Sequence, residues 1–152
     1  MNAPAPSLTA QLCDRIVAVG RAGLAAEHLP AARQLLLDGI AVAVAGARLE
    51  QAPRLLAAHF ADPLTGTPGG IAAALLGLAA RLGTVPAALV NGAAMHVLDF
   101  EPMWLPATHA LSPALTPVLA LGETLGATGA EMLLAMVLGI EMPAEHPHQH
   151  HR

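Results

Sequence analysis

The sequence predicts an all-α fold, a helical array with short connections. Three observations predict it. Hydrophobic residues make up 55% of the 152 residues while aromatic residues make up 2%, so the apolar content is small and aliphatic, of the kind that lets helices approach closely. Apolar positions recur at helical spacing in segment after segment. Proline and glycine stand where helix starts and stops would use them. Small side chains each bury little area, so a core of this kind gains bulk by packing against something larger, such as a second subunit or a further part of the polypeptide.

Taken in order, residues 1–8 form an arm. Thr9 is placed to cap a first helix with Leu12, Ile16 and Val17 on one face and Asp14 and Arg15 opposite. Pro30 fits the first turn of a second helix, AARQLLLDGIAVAVAGA, which presents Leu35, Leu36, Ile40 and Ala43 and ends near Gly46. Pro53 opens a short third segment that Pro63 closes, and PLTGTPGG is a loop. The run IAAALLGLAARLG over 71–83 is open: propensity favours helix, but its first half can also be a short strand. Pro86 starts a helix over 86–100, which Pro102 and Pro106 end. Ser112 and Pro113 read as an N-cap and first helical position, Pro117 is a possible kink, and Gly126 ends that helix. A last helix, GAEMLLAMVLGIEM, stops at Pro143. The chain thus divides into the arm, a helical domain over 9–142 and an unstructured His-rich tail over 143–152.

The formal net charge is −4, and all seven basic residues are arginines with no basic patch, which argues against nucleic-acid binding. Mean hydropathy is +0.55, but the apolar runs are broken before reaching the roughly 20 residues of a spanning helix, so no membrane partner is expected. Cys13 is the only cysteine, so no intrachain disulfide can form and a reducing cytoplasm is the simplest location. Cys13 reads as a helix-face residue, not a nucleophile. The tail histidines His146, His148, His150 and His151 can take up divalent metals adventitiously, and no metal site or cofactor is assigned.

Chemistry concentrates in residues 91–113, NGAAMHVLDFEPMWLPATHALSP. Polar groups set among apolar ones cost free energy unless satisfied or used. His96 and Asp99 lie three residues apart and share a face if the helix continues. Asp99 can then orient the imidazole or act as a base, or the two can simply close the helix end as a hydrogen-bonded pair, which spacing alone favours. His109 precedes a helix whose free N-terminal amides, with the Thr108 hydroxyl, suit a carboxylate ligand, although plain loop capping explains it as well. Trp104 can line a pocket or anchor the loop.

These residues carry a resemblance. AALVNGAAMHVLDF followed by PATHALSPALTPVLALGETLG is similar to the MmgE/PrpD family, whose members include 2-methylcitrate dehydratase and cis-aconitate decarboxylase. The early segment LPAARQLLLDGIAVAVAGA looks like the family's early helix. The resemblance implies the N-terminal part of a helical domain, with the smaller α+β lid domain absent. It implies lyase chemistry on a tricarboxylate or related acid without metal or cofactor, and homodimers. By position Asp99 matches the family's active-site aspartate and His109 its active-site histidine. Asp99 would help move a proton, and His109 would bind a carboxylate or protonate a leaving group. Asn91, His96, Trp104 and Thr108 would bind substrate or support those two.

The chain also departs from the family pattern. Met103 stands where many members have threonine, Glu101-Pro102 replaces an Asp-Asp pair, and Leu105 replaces a frequent histidine. Family enzymes draw a lysine, a tyrosine and another histidine from later segments, and this chain has neither lysine nor tyrosine. The expectation is therefore an N-terminal portion of such a lyase, from a frameshift or truncated frame, inactive alone and prone to self-association. The alternative is a non-catalytic helical interaction or dimerisation module.

Overall fold

The computed structural model describes residues 6–61, 72–103 and 109–144. Six α-helices run through it: α1 Leu8–Ala22, α2 Leu29–Leu49, α3 Gln51–Ala61, α4 Thr84–His96, α5 Leu111–Leu125 and α6 Gly129–Ala144. A 3₁₀ turn, Ala26–His28, leads into α2, and a two-stranded sheet, β1 Ala72–Ala74 and β2 Arg81–Gly83, precedes α4. The predicted helical array is therefore present, with this small sheet added.

Helix ends follow from local chemistry. Ser7, not Thr9, caps α1, its hydroxyl accepting from the Ala10 amide at 3.2 Å. Pro30 does sit in the first turn of α2. Gly126 closes α5 in the left-handed conformation at φ 66°, which costs a glycine nothing. Thr128 and Glu131 form a reciprocal capping box at the start of α6: the Glu131 carboxylate accepts from the Thr128 amide at 2.7 Å, and the Thr128 hydroxyl from the Glu131 amide at 3.3 Å. The predicted start of α5 moves slightly, since Leu111 is its first residue and Ser112 makes no side-chain cap.

Helix α4 is the centre of the fold, packed against α2, α3, α5 and both strands, with α6 laid on α5. The main core joins Ala43 and Ala47 of α2, Ala94 and Met95 of α4, Leu111 and Leu115 of α5, and Met136 of α6. Of the four residues expected on the inner face of α2, Ala43 is fully buried, while Leu35 and Leu36 are partly buried against this core. Much of the inner face of α2 is instead Ala32, Gly39, Gly46 and Ala47. Among the described residues, one helical stretch, Ala26–Leu49, is long and apolar enough to cross a membrane by length and composition, with mean hydropathy 1.3; here it packs on α3, α4, α5 and α6.

The open segment over 71–83 resolves as an antiparallel hairpin in its described part, with Ala73 paired to Leu82. Alanine-rich sequence favours helix, so tertiary contacts must decide. Asn91, buried on α4, accepts from the Leu76 amide at 2.8 Å and donates to the Ala74 carbonyl at 3.0 Å. Glu123 of α5 accepts from the Ala74 amide at 2.8 Å and pairs with Arg81, which also donates to the Ala72 carbonyl at 2.6 Å. Gly77 turns the chain at φ 76°, where an added Cβ would meet the Val44 backbone of α2 at 3.0 Å.

The Glu123 contacts give the hairpin a pH dependence. The Ala74 amide first, and then the Arg81 guanidinium, hold the Glu123 carboxyl below its ordinary value of 4.5. A carboxyl depressed on folding stabilises the fold above its unfolded-state value and loses that contribution as pH falls through the folded value. Wild type is expected to melt above Glu123→Gln at neutral pH, with the gap closing as pH drops below 4.5. Thermal melts of both proteins across this range check it.

Candidate functional site

The site lies where the C-terminus of α4 meets the N-terminus of α5. Helix α4 ends at His96, and Val97 closes it by donating its amide to the Ala93 carbonyl. The expected continuation to Phe100 does not occur, so His96 and Asp99 do not share a helix face. Instead Asp99 takes a left-handed conformation at φ 55°, its amide donating to the His96 carbonyl at 3.0 Å. Aspartate is among the few non-glycine residues that tolerate this geometry. This turn ends the helix, and Glu101 two residues on faces inward.

Glu101 is buried, its side chain having no exposed surface. Its Oε1 accepts from the Ser112 amide at 2.6 Å, which satisfies one free donor at the N-terminus of α5. The carboxylate at this helix end is thus the chain's own, placed where the positive end of the helix dipole favours it. The other oxygen, Oε2, faces His96 Nδ1 at 3.5 Å and His109 Nδ1 at 3.6 Å. The two imidazoles meet edge to face, perpendicular, with centroids 4.7 Å apart.

His109 Nδ1 is buried and makes no hydrogen bond, while its Nε2 lies 3.9 Å from the Asp99 carboxylate. The Asp99 side chain is 81% exposed and that of His109 34%. A buried carboxylate therefore sits beneath two imidazoles, and an exposed carboxylate stands at the rim. The arrangement offers proton donors and acceptors to an acid arriving from solvent, with the Glu101 carboxylate facing both rings.

The structure thus brings His96, Asp99 and His109 together around Glu101. Asn91 lies one turn and more back along α4, with its side-chain amide committed to the hairpin. Met103 is exposed. Trp104, Leu105 and Thr108 lie outside the described residues. Sequence reasoning treated Glu101 only as a departure from an Asp-Asp pair. A signal was available, since a carboxylate between apolar segments and shortly before a helix start can cap that helix from a distance.

The chain belongs to the MmgE/PrpD family, whose N-terminal domain matches residues 10–146. Among individual relatives, it is 42% identical to human cis-aconitate decarboxylase over 66 residues, which are 41% of this chain and 14% of that protein. It is 29% identical to the cis-aconitate decarboxylase of Aspergillus terreus strain NIH 2624 over 141 residues, 88% of this chain and 28% of the relative. A cis-aconitate decarboxylase-like protein of Aspergillus oryzae matches at 26% over 151 residues, 92% of this chain and 30% of its own length. The chain therefore spans less than a third of the length of these relatives.

Proposed function

We propose that this chain is the N-terminal portion of an MmgE/PrpD-type lyase acting on a tricarboxylate or a related carboxylic acid, and that it is inactive alone. The observation that carries the reading is the cluster of His96, Asp99 and His109 around buried Glu101. In this reading His109 binds or protonates a substrate carboxylate, and Asp99 assists proton transfer from the rim. Moving a proton next to a carboxylate requires both a base and stabilisation of the developing charge. This sequence has no lysine or tyrosine to add to them. The family resemblance gives Thr108 and Trp104 a part in binding substrate. The protein acts in the cytoplasm, without metal or cofactor in the lyase step.

Reading the source DNA in all frames beyond the Glu141 codon tests the portion claim. A continuation resembling the rest of the family and encoding lysine and tyrosine is expected. An unrelated or closed sequence in every frame contradicts it.

Exposed apolar side chains support the same reading. Leu121 and Leu125 on α5, and Val85 and Leu89 on α4, are more than half exposed, and where such residues form a contiguous patch they favour association. The purified chain is expected to self-associate, and a concentration-independent monomer mass by light scattering would count against this.

A further inference from the structure

We infer that Glu101 is a positioning residue: its buried carboxylate holds the ring proton of His109 and of His96 on Nδ1, so that Nε2 is the nitrogen each ring offers to a ligand. What this gives His109 to do rests on the lyase reading, while the tautomer itself does not.

The two nitrogens of His109 stand in different surroundings. Nδ1 is buried and makes no hydrogen bond, and Glu101 Oε2 faces it at 3.6 Å. A lone pair turned toward that carboxylate is repelled, whereas a proton is attracted, and burial strengthens both effects. His96 Nδ1 faces the same oxygen at 3.5 Å, within hydrogen-bonding reach. Glu101 can serve both rings because its two oxygens divide the work. Oε1 accepts from the Ser112 amide at 2.6 Å, which leaves Oε2 and its lone pairs toward the imidazoles. The competing acceptor is Asp99, 3.9 Å from His109 Nε2. Its side chain is 81% exposed, so water screens and satisfies it, and the buried carboxylate wins the ring proton. Which nitrogen keeps the proton decides what the ring can do. With Nδ1–H held by Glu101, His109 takes up a proton at Nε2 and returns it from Nε2, on the side of Asp99. The opposite tautomer presents an N–H there and no base.

Glu101→Gln inverts the preference without changing the shape. The Ser112 amide still needs an oxygen, so glutamine turns its NH₂ group to the rings, where it donates to Nδ1 and cannot accept from it. The full chain with ¹⁵N-labelled histidine is followed by two-bond ¹H–¹⁵N correlation NMR at mildly alkaline pH, where free imidazole is neutral. Single His96→Gln and His109→Gln variants assign the signals. In wild type both rings are expected to carry a proton on Nδ1. In Glu101→Gln that proton is expected to move to Nε2, with the helical circular dichroism retained. Asp99→Asn is expected to leave it on Nδ1. A wild-type His109 protonated only on Nε2 overturns the inference. So does an Nδ1 proton that Glu101→Gln leaves in place, or one that Asp99→Asn removes. Should Glu101→Gln fail to fold, the wild-type tautomer and its response to Asp99→Asn still decide. None of these spectra depends on turnover, so an inactive chain leaves the tautomer assignment standing and a wrong tautomer leaves the lyase reading standing.

Discussion

Asn91→Ala will destabilise the fold by about 3 kcal/mol and lower the melting temperature by roughly 10 °C. Asn91 is 1% exposed, and both ends of its side-chain amide hold hairpin backbone: the Leu76 amide at 2.8 Å and the Ala74 carbonyl at 3.0 Å. Alanine removes both partners at once and leaves two peptide groups without replacements, each costing about 1–3 kcal/mol where water cannot reach it. Asn91→Asp separates the two contacts. It keeps the acceptor for Leu76 but presents a carboxylate oxygen to the Ala74 carbonyl, and it buries a charge. It is therefore expected to be at least as damaging as alanine at neutral pH. Denaturant unfolding measures both. A loss below about 0.5 kcal/mol for Asn91→Ala, the size of an ordinary surface change, would contradict the clamp.

The second large effect is Gly46→Ala. Gly46 lies on the buried face of α2, and a Cβ there would collide with the Ala94 carbonyl oxygen of α4 and press on Val97 Cγ1 at 2.9 Å. The obstacle is backbone, which cannot rotate away as a side-chain tip can. The two helices must separate, and overpacking of this kind costs about 1–3 kcal/mol or more. We expect about 3 kcal/mol, with the strain falling on the end of α4 that carries His96. Gly20→Ala is the internal control. It lies within α1 with nothing near a new Cβ, so it should be neutral or stabilise by about 0.5–1 kcal/mol. Equal effects at the two positions would remove the close-approach argument.

Much of the helical frame was legible because its signals are local. Pro30, Gly126 and the apolar periodicity of α2, α5 and α6 act within a turn or two of where they stand. The hairpin was not legible for the opposite reason. Asn91 reaches Leu76 across 15 residues, and Glu123 reaches Ala74 across 49. An alanine run reads as helix until those distant polar groups claim its amides and carbonyls. At the site, His96, Asp99 and His109 were recognisable as residues, but their arrangement was not. It depends on one left-handed residue, Asp99, which ends the helix early and turns Glu101 inward. Periodicity extended through that position gave the wrong neighbour for His96, pairing it with Asp99 when its carboxylate partner is Glu101 at 3.5 Å.

The proposed function makes the residues around Glu101 one half of a lyase site. Turnover by the purified chain tests this most directly, with loss of cis-aconitate, release of CO₂ and dehydration of 2-methylcitrate followed beside the full-length Aspergillus terreus relative. The expected result is no turnover above background by this chain under conditions where that cis-aconitate decarboxylase is active. Turnover that Asp99→Asn or His109→Ala abolishes would show a complete active site in these 152 residues and would contradict the account.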